Sequence, residues 1–213
     1  MKIQIKRHKE QSTGQALVEF ALVIVAVLMI IFFIVEASRI LWAWVTVQNA
    51  AREGARYAIT GRFEGPDCPT QSLPKFTDRC NDLRVASIIA VAHQNLSGLP
   101  LNEQSGQFED DNYYNIEVWG VDEFGQLQPN FGGIPNNPVV VRVYYRVPII
   151  TPFFRPIRES IPVFGQVTMT NESFGQLGGA NAGVGVPPPL PPLPTPGVTP
   201  SPTFTPTITP SPT

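Results

Sequence analysis

Residues 12–37, STGQALVEFALVIVAVLMIIFFIVEA, set the tightest limit on what this chain can fold into. From Ala16 to Val35 the run holds 20 residues, and Glu19 is its one charge. At about 1.5 Å per residue, such a helix covers about 30 Å, the hydrocarbon thickness of a bilayer. Branched residues such as Val23, Ile24 and Val25 do not argue for a strand here, because lipid obliges the backbone to bond to itself. Lys2, Lys6, Arg7 and Lys9, against Glu10, hold the preceding leader (1–14) in the cytoplasm and place everything after Val35 outside. The expectation is one membrane-spanning helix over about 16–35, single-pass, in the cytoplasmic (inner) membrane.

VEA at 35–37 has the small-x-small form of a signal-peptidase site, with cleavage after Ala37. Two features oppose a cleaved signal. The apolar run exceeds the 7–15 residues of a signal-peptide core, and helical patterning continues across the supposed site. Residues 36–60 contain no Pro, and Ile40, Trp44, Val47, Ala51, Ala55 and Ala58 recur at three- and four-residue spacing. Arg39, Thr46, Asn49, Arg52, Glu53 and Arg56 fall largely on other faces. Glu36–Arg39 and Glu53–Arg56 are i,i+3 pairs, each expected to add about 0.2–0.5 kcal/mol if exposed. Trp42 and Trp44 sit where an outer aromatic belt belongs. One helix is therefore expected from about Gln15 to Ile59, about 65 Å long. Ala43, Ala50, Ala51, Gly54, Ala55 and Ala58 cluster on its projecting half and admit close approach of another backbone. That backbone is a neighbouring helix, a sheet of the same chain, or both, since the two are not exclusive.

GQALVEF (14–20) resembles the processing site of type IV prepilins and pseudopilins. With NAAREGARYA at 49–58, the chain is similar, more narrowly, to the TadE-like family of the tight-adherence pilus system. The resemblance covers about residues 14–60. It implies cleavage by a prepilin peptidase after Gly14, making Gln15 the mature N-terminus, with Glu19 fifth in the mature chain and Phe20 beside it. A carboxylate at the centre of a bilayer costs about 2.5–3.5 kcal/mol on insertion scales. The resemblance implies that the α-amine freed by cleavage, supplied by a neighbouring pilin subunit, partners Glu19 and turns that cost into an assembly register. The alternatives are that Glu19 reaches lipid headgroups or pairs with its own N-terminus. A terminal Gln can also cyclise and lose its amine; methylation, typical of relatives, prevents this.

The remainder, 61–174, reads as an extracytoplasmic α+β domain. Residues 61–82 are loop-like and hold Cys68 and Cys80. In an exported segment two cysteines favour a disulfide, and metal binding by this pair, with no His nearby, is a poor alternative. Residues 82–96 read as a second helix with Asp82 as N-cap, Gly98 as its end, and Val85, Ile88, Ile89 and Ala92 on its buried face. Strands are expected at 113–120, 139–147 and 164–173, the first two joined by a Gly/Pro/Asn-rich connection too long for a tight hairpin. The expected fold is α+β: a long N-terminal helix packed on a small antiparallel sheet, as in pilins.

No Ser/His/Asp order, phosphate-cradling loop or metal-spaced His/Cys set appears, so neither catalysis nor a cofactor is expected. EDDN at 109–112 lacks the oxygen count and turn spacing of a calcium loop and reads as a solvated loop. His93 reads as a surface or half-buried helix residue. NLS (95–97) and NES (171–173) fit the N-glycosylation pattern, which carries little weight in the prokaryote that the prepilin resemblance implies. A net charge of −2 gives no general pull toward nucleic acid.

Beyond residue 174 the chain turns Gly-rich and then Pro/Thr-rich. Twelve of the 23 prolines fall within 187–212, so this tail is expected to be extended and without a core. Two functions follow. One is a membrane-anchored TadE-like pseudopilin or minor pilin, in adhesion or secretion. The other is an uncleaved, single-pass surface protein that never polymerises and reaches through a wall on its Pro/Thr tail.

Overall fold

The computed structural model of the chain describes residues 13–63 and 67–173. The basic leader up to residue 12, residues 64–66 and the tail from residue 174 lie outside the described residues. The architecture is α+β, as expected: one long helix, a shorter one, and a four-stranded antiparallel sheet.

Helix α1 (Thr13–Ile59) runs 47 residues without a break, about 70 Å. It passes straight through Ala37, where a signal-peptidase site would lie. It ends where Gly61 takes a φ of 66° and its N–H bonds to Ala58 O at 3.2 Å, a left-handed stop that a side chain would strain. Two further donors collect the terminal carbonyls that α1 cannot satisfy itself. Arg84 gives Nη2 to Ala58 O at 2.9 Å, and the Glu172 N–H reaches Ile59 O at 3.0 Å.

Helix α2 (Leu83–Gln94) starts where the Asp82 carboxylate accepts from the Arg84 and Val85 N–H groups, at 2.9 and 3.2 Å. Val85, Ile88, Ile89 and Ala92 are all buried, as their spacing predicts. The helix stops at Asn95 rather than Gly98, which lies in the turn beyond at φ 109°.

The strands are β1 (Tyr114–Val121), β2 (Leu127–Pro129), β3 (Pro138–Pro148) and β4 (Ser160–Thr170), in spatial order β2-β1-β3-β4. The central strand β3 is buried along its whole length. Val139, Val141, Val143, Tyr145 and Val147 join the core beneath α1 and α2. On the opposite face, Arg142 lies between Gln166 at 3.2 Å and Glu117 at 3.5 Å, and the Arg146 guanidinium sits over the Phe108 ring at 5.1 Å. Long neighbouring side chains thus cover a face that no helix covers.

Three features depart from the sequence reading. Within 61–82, a 3₁₀ segment (Pro74–Asn81) buries Phe76 in the core. The connection after β1 contains a tight hairpin to β2, closed by the Asp122 carboxylate accepting from the Phe124 and Gln126 N–H groups at 2.9 and 2.8 Å. Strand β4 begins at Ser160, four residues earlier than the alternation at 164–173 implies, because Ile161–Val163 extend the pairing with β3.

The small residues of α1 meet the chain's own sheet and second helix. Ala43, Val47, Ala50, Ala51, Ala55 and Ala58 are fully or almost fully buried. A Cβ on Gly165 would lie 2.7 Å from Val47 O and 2.9 Å from Gln48 Cα. Strand β4 therefore approaches the α1 backbone as closely as only Gly allows. Trp44, expected on the packed face, is instead 46% exposed, and Ala43 takes the buried position. The large indole does not fit a seam built from Ala and Gly.

Candidate functional site

The residues singled out by sequence lie in two places on α1 and one beside it. Gly14, Gln15, Glu19 and Phe20 occupy its first turns and are exposed. Nothing approaches within 4 Å of a Cβ built on Gly14, so no other part of the described chain shields the Gly14–Gln15 bond. Gln15 and Glu19 are one turn apart, about 6 Å along the axis and on one face. Among the described residues no cation pairs with Glu19. From Leu17 to Val35 the large apolar side chains face outward, and the most apolar 18-residue window, of mean hydropathy 3.2, is not buried by the rest of the chain. The second half of α1 is sheathed by β3, β4 and α2. One helix thus carries a bare apolar rod and a packed domain.

The junction between the halves is built from residues that sequence reasoning read differently. Glu36 is the first charge after the apolar run, expected to be exposed in a weak pair with Arg39, yet only 4% of it is accessible. Arg39 Nη1 lies 2.9 Å from Glu36 Oε1 and 3.2 Å from Pro148 O. The other carboxylate oxygen accepts from the Thr151 N–H at 3.3 Å. The connection from β3 to β4 is thereby clamped to α1. One turn below, Phe153 and Phe154 meet Phe32 and Phe33 at ring-centroid distances of 6.1 and 6.2 Å. The missed signal was the segment IITPFFRPIR (149–158), whose apolar and cationic residues do not alternate as a strand. The second predicted pair, Glu53–Arg56, is exposed at 3.4 Å.

Cys68 and Cys80 are joined by a disulfide with Cα atoms 5.4 Å apart. The linked loop folds around Thr70, whose buried hydroxyl donates to Phe76 O at 2.9 Å.

A polar cluster ties this loop region to β1. The Tyr114 hydroxyl donates to Glu103, whose other oxygen lies 3.1 Å from His93 Nε2. Lys75 Nζ donates to Tyr114 O at 3.0 Å and lies over the Tyr113 and Tyr114 rings. Burial lowers the Lys75 ammonium to about 8, against the raising pull of Glu103 and Asp110. Burial first, then the bond to Glu103, raises the Tyr114 phenol. His93 is a half-buried partner here, with no nucleophile beside it. The EDDN carboxylates diverge: Asp110 accepts from Ser105, and Asp111 pairs with Arg155 at 3.3 Å. Among the described residues no three His, Cys, Asp or Glu side chains converge on a metal position.

Residues 14–56 match the family model of TadE-like proteins. No curated protein and no solved structure matches the chain. The TadE-like segment ends within α1, so the sheet, α2 and the disulfide loop lie outside the match. The matched segment includes the apolar half of α1, which is long and apolar enough to cross a membrane and fits a membrane anchor.

Proposed function

We propose that this chain is a TadE-like pseudopilin or minor pilin of a tight-adherence type pilus or of its export machinery. Prepilin peptidase cuts it between Gly14 and Gln15, and its role is structural, without catalysis or cofactor. In this reading it sits in the cytoplasmic membrane with its N-terminus inside, among other pilin subunits and lipid. The observation that carries the reading is the coincidence, within residues 14–56, of the TadE-like match and a helix bare in its apolar half but sheathed beyond Glu36. Glu19 lies one turn from the amine that cleavage would free. On one helix, the two are too close in height for that pair to encode an offset between subunits. An amine from an axially shifted subunit supplies one.

The N-terminal residue of the mature protein, read by mass spectrometry from native membranes, tests this. A chain starting at Gln15 supports processing and assembly. A chain starting at Ser38 has lost its anchor and sinks the proposal. Persistence of Met1 with the peptidase present supports the second reading, an uncleaved surface protein, which the Pro/Thr composition of 187–213 favours. The Glu19→Ala variant is expected to insert normally but to enter assemblies less often, and equal co-purification with sister subunits would reject the role given to Glu19.

A further inference from the structure

The connection between β3 and β4 leaves a patch of large apolar side chains uncovered on the membrane-facing end of the domain. Ile150 is 57% exposed, Phe153 49% and Ile157 82%. This patch is continuous with the bare surface of α1, because Phe153 and Phe154 stack against Phe32 and Phe33. Those two helix residues lie inside the apolar run, about 3–5 Å short of its end at Val35. Any bilayer that takes up the run therefore meets the connection at the depth where acyl chains give way to headgroups.

The backbone of this connection suits that depth. The Phe154 and Arg155 N–H groups bond to Thr151 O, and those of Ile157 and Arg158 bond to Phe154 O, at 3.0–3.2 Å. The Thr151 N–H goes to Glu36, and residues 152 and 156 are prolines with no N–H to satisfy. Five of the seven N–H groups of 150–158 are thus satisfied within the chain, while most of its carbonyls are left for water, which suits the interfacial zone rather than the hydrocarbon centre. Arg155 and Arg158 are exposed and flank the apolar side chains, Arg155 keeping 58% of its side chain accessible beside its partner Asp111. Their long stems let the guanidinium groups rise to phosphate level while the stems stay among acyl chains.

We propose that residues 150–158 form a second membrane contact, in which Phe153, Phe154 and Ile157 enter the outer leaflet and Arg155 and Arg158 bind lipid phosphates. The Glu36 clamp fixes this wedge to α1, so the domain is held at two points and cannot swivel freely about the helix axis. The occupant is lipid rather than a protein groove, because the patch continues the anchor's own lipid-facing surface. The inference rests on the anchor reading, and the test separates the two.

The full chain, its disulfide intact, is reconstituted in phosphatidylglycerol/phosphatidylethanolamine vesicles with a nitroxide at one of three single-cysteine sites. The sites are Ile157→Cys in the wedge, Ile24→Cys in the anchor and Phe124→Cys in the β1–β2 hairpin, which is 77% exposed at the far end of the sheet. Collision rates with oxygen and with a neutral nickel chelate report depth. The expected result is an oxygen-dominated ratio at 24 and 157 and a nickel-dominated ratio at 124. A nickel-dominated ratio at 157 with an oxygen-dominated one at 24 overturns the wedge while leaving the anchor. Shielding from both reagents at 157 means that protein, such as a second copy, covers the patch, which also overturns the proposal. A nickel-dominated ratio at 24 removes the anchor and the wedge together.

Discussion

The seam between α1 and β4 is tested most sharply by Gly165→Ala. In a strand with free space, replacing Gly by Ala stabilises by roughly 0.5–1 kcal/mol, because Gly loses more backbone freedom on folding. At Gly165 the new Cβ would sit 2.7 Å from Val47 O and 2.9 Å from Gln48 Cα. Both are backbone atoms of a helix held by β3, β4 and α2, so no rotamer change can relieve the contact. Forcing an extra carbon into such a seam costs about 1–3 kcal/mol. The structure therefore predicts a sign, with net destabilisation lowering the melting temperature by about 2–4 °C per kcal/mol. Two companions calibrate the measurement. At Gly54 the new Cβ would meet side-chain atoms, Ala92 Cβ at 3.1 Å and Val141 Cγ1 at 3.2 Å. That crowding opposes a helix-propensity gain of about 1 kcal/mol, so Gly54→Ala should lie near the parent. At Gly106 nothing lies within 4 Å, and Gly106→Ala should match or exceed the parent. Thermal unfolding of the detergent-solubilised full chain, followed by intrinsic fluorescence, reads all three. A Gly165→Ala protein as stable as the parent would show that α1 does not lie on β4 as described.

Three further outcomes follow from other parts of the molecule. Reducing the Cys68–Cys80 bond, or replacing both residues by Ser, should cost about 3 kcal/mol for a loop of this size, read as a lower melting temperature that added reductant does not change in the Ser variant. Stability should rise as pH goes from about 8 toward 10, because Lys75 is lowered to about 8 in the fold and the unfolded chain then binds more protons. Above about 10 it should fall, since the unfolded chain loses its tyrosine protons before the raised Tyr113, Tyr114, Tyr144 and Tyr145 do; a Lys75→Met variant should lose the rise and keep the fall. Glu36→Ala should release the β3–β4 connection, removing charge-assisted bonds worth about 1.5–3 kcal/mol each, and hydrogen exchange at 150–158 should quicken while β1 and β3 stay protected. Unchanged exchange there would mean that the clamp does not hold the wedge.

What was legible in the sequence depended on how local the cause was. The unbroken run from Ala16 to Val35, the Asp82 cap and the valine-rich β3 each declare themselves within a few residues. The disulfide pair was the only pairing two cysteines allow within a chain. Glu36 was misread because its burial comes from a segment more than a hundred residues away, the Thr151 N–H and Pro148 O that converge on it and Arg39. Trp44 was misread because periodicity reports which face is apolar, but not how wide a side chain the opposing surface admits. Strand β2 was missed because three residues at a sheet edge, half-buried or exposed, leave little alternation to see.

The filled seam also bears on how the proposed assembly could be built. A stripe such as Ala43, Ala50, Gly54, Ala55 and Ala58 can serve a neighbouring helix or the chain's own elements, and here the sheet and α2 cover it. A second subunit cannot use that stripe without first displacing β4, β3 or α2, and moving β4 would break both the α1–β4 packing and the long pairing of β4 with β3. In the proposed pilin role, contacts between subunits would then come from what is left bare. Those surfaces are the apolar rod from Leu17 to Val35 and the outward ridge of Leu41, Trp42, Trp44 and Val45. On the rod, apolar packing alone is weak at fixing register, since neighbouring turns of branched side chains present nearly equivalent surfaces. A single carboxylate supplies the missing distinction, because one offset along the axis satisfies it and the others leave it unpaired in a medium of low polarity. In the proposed pilin role, this argument places the assembly contact at Glu19 rather than at the small residues further out.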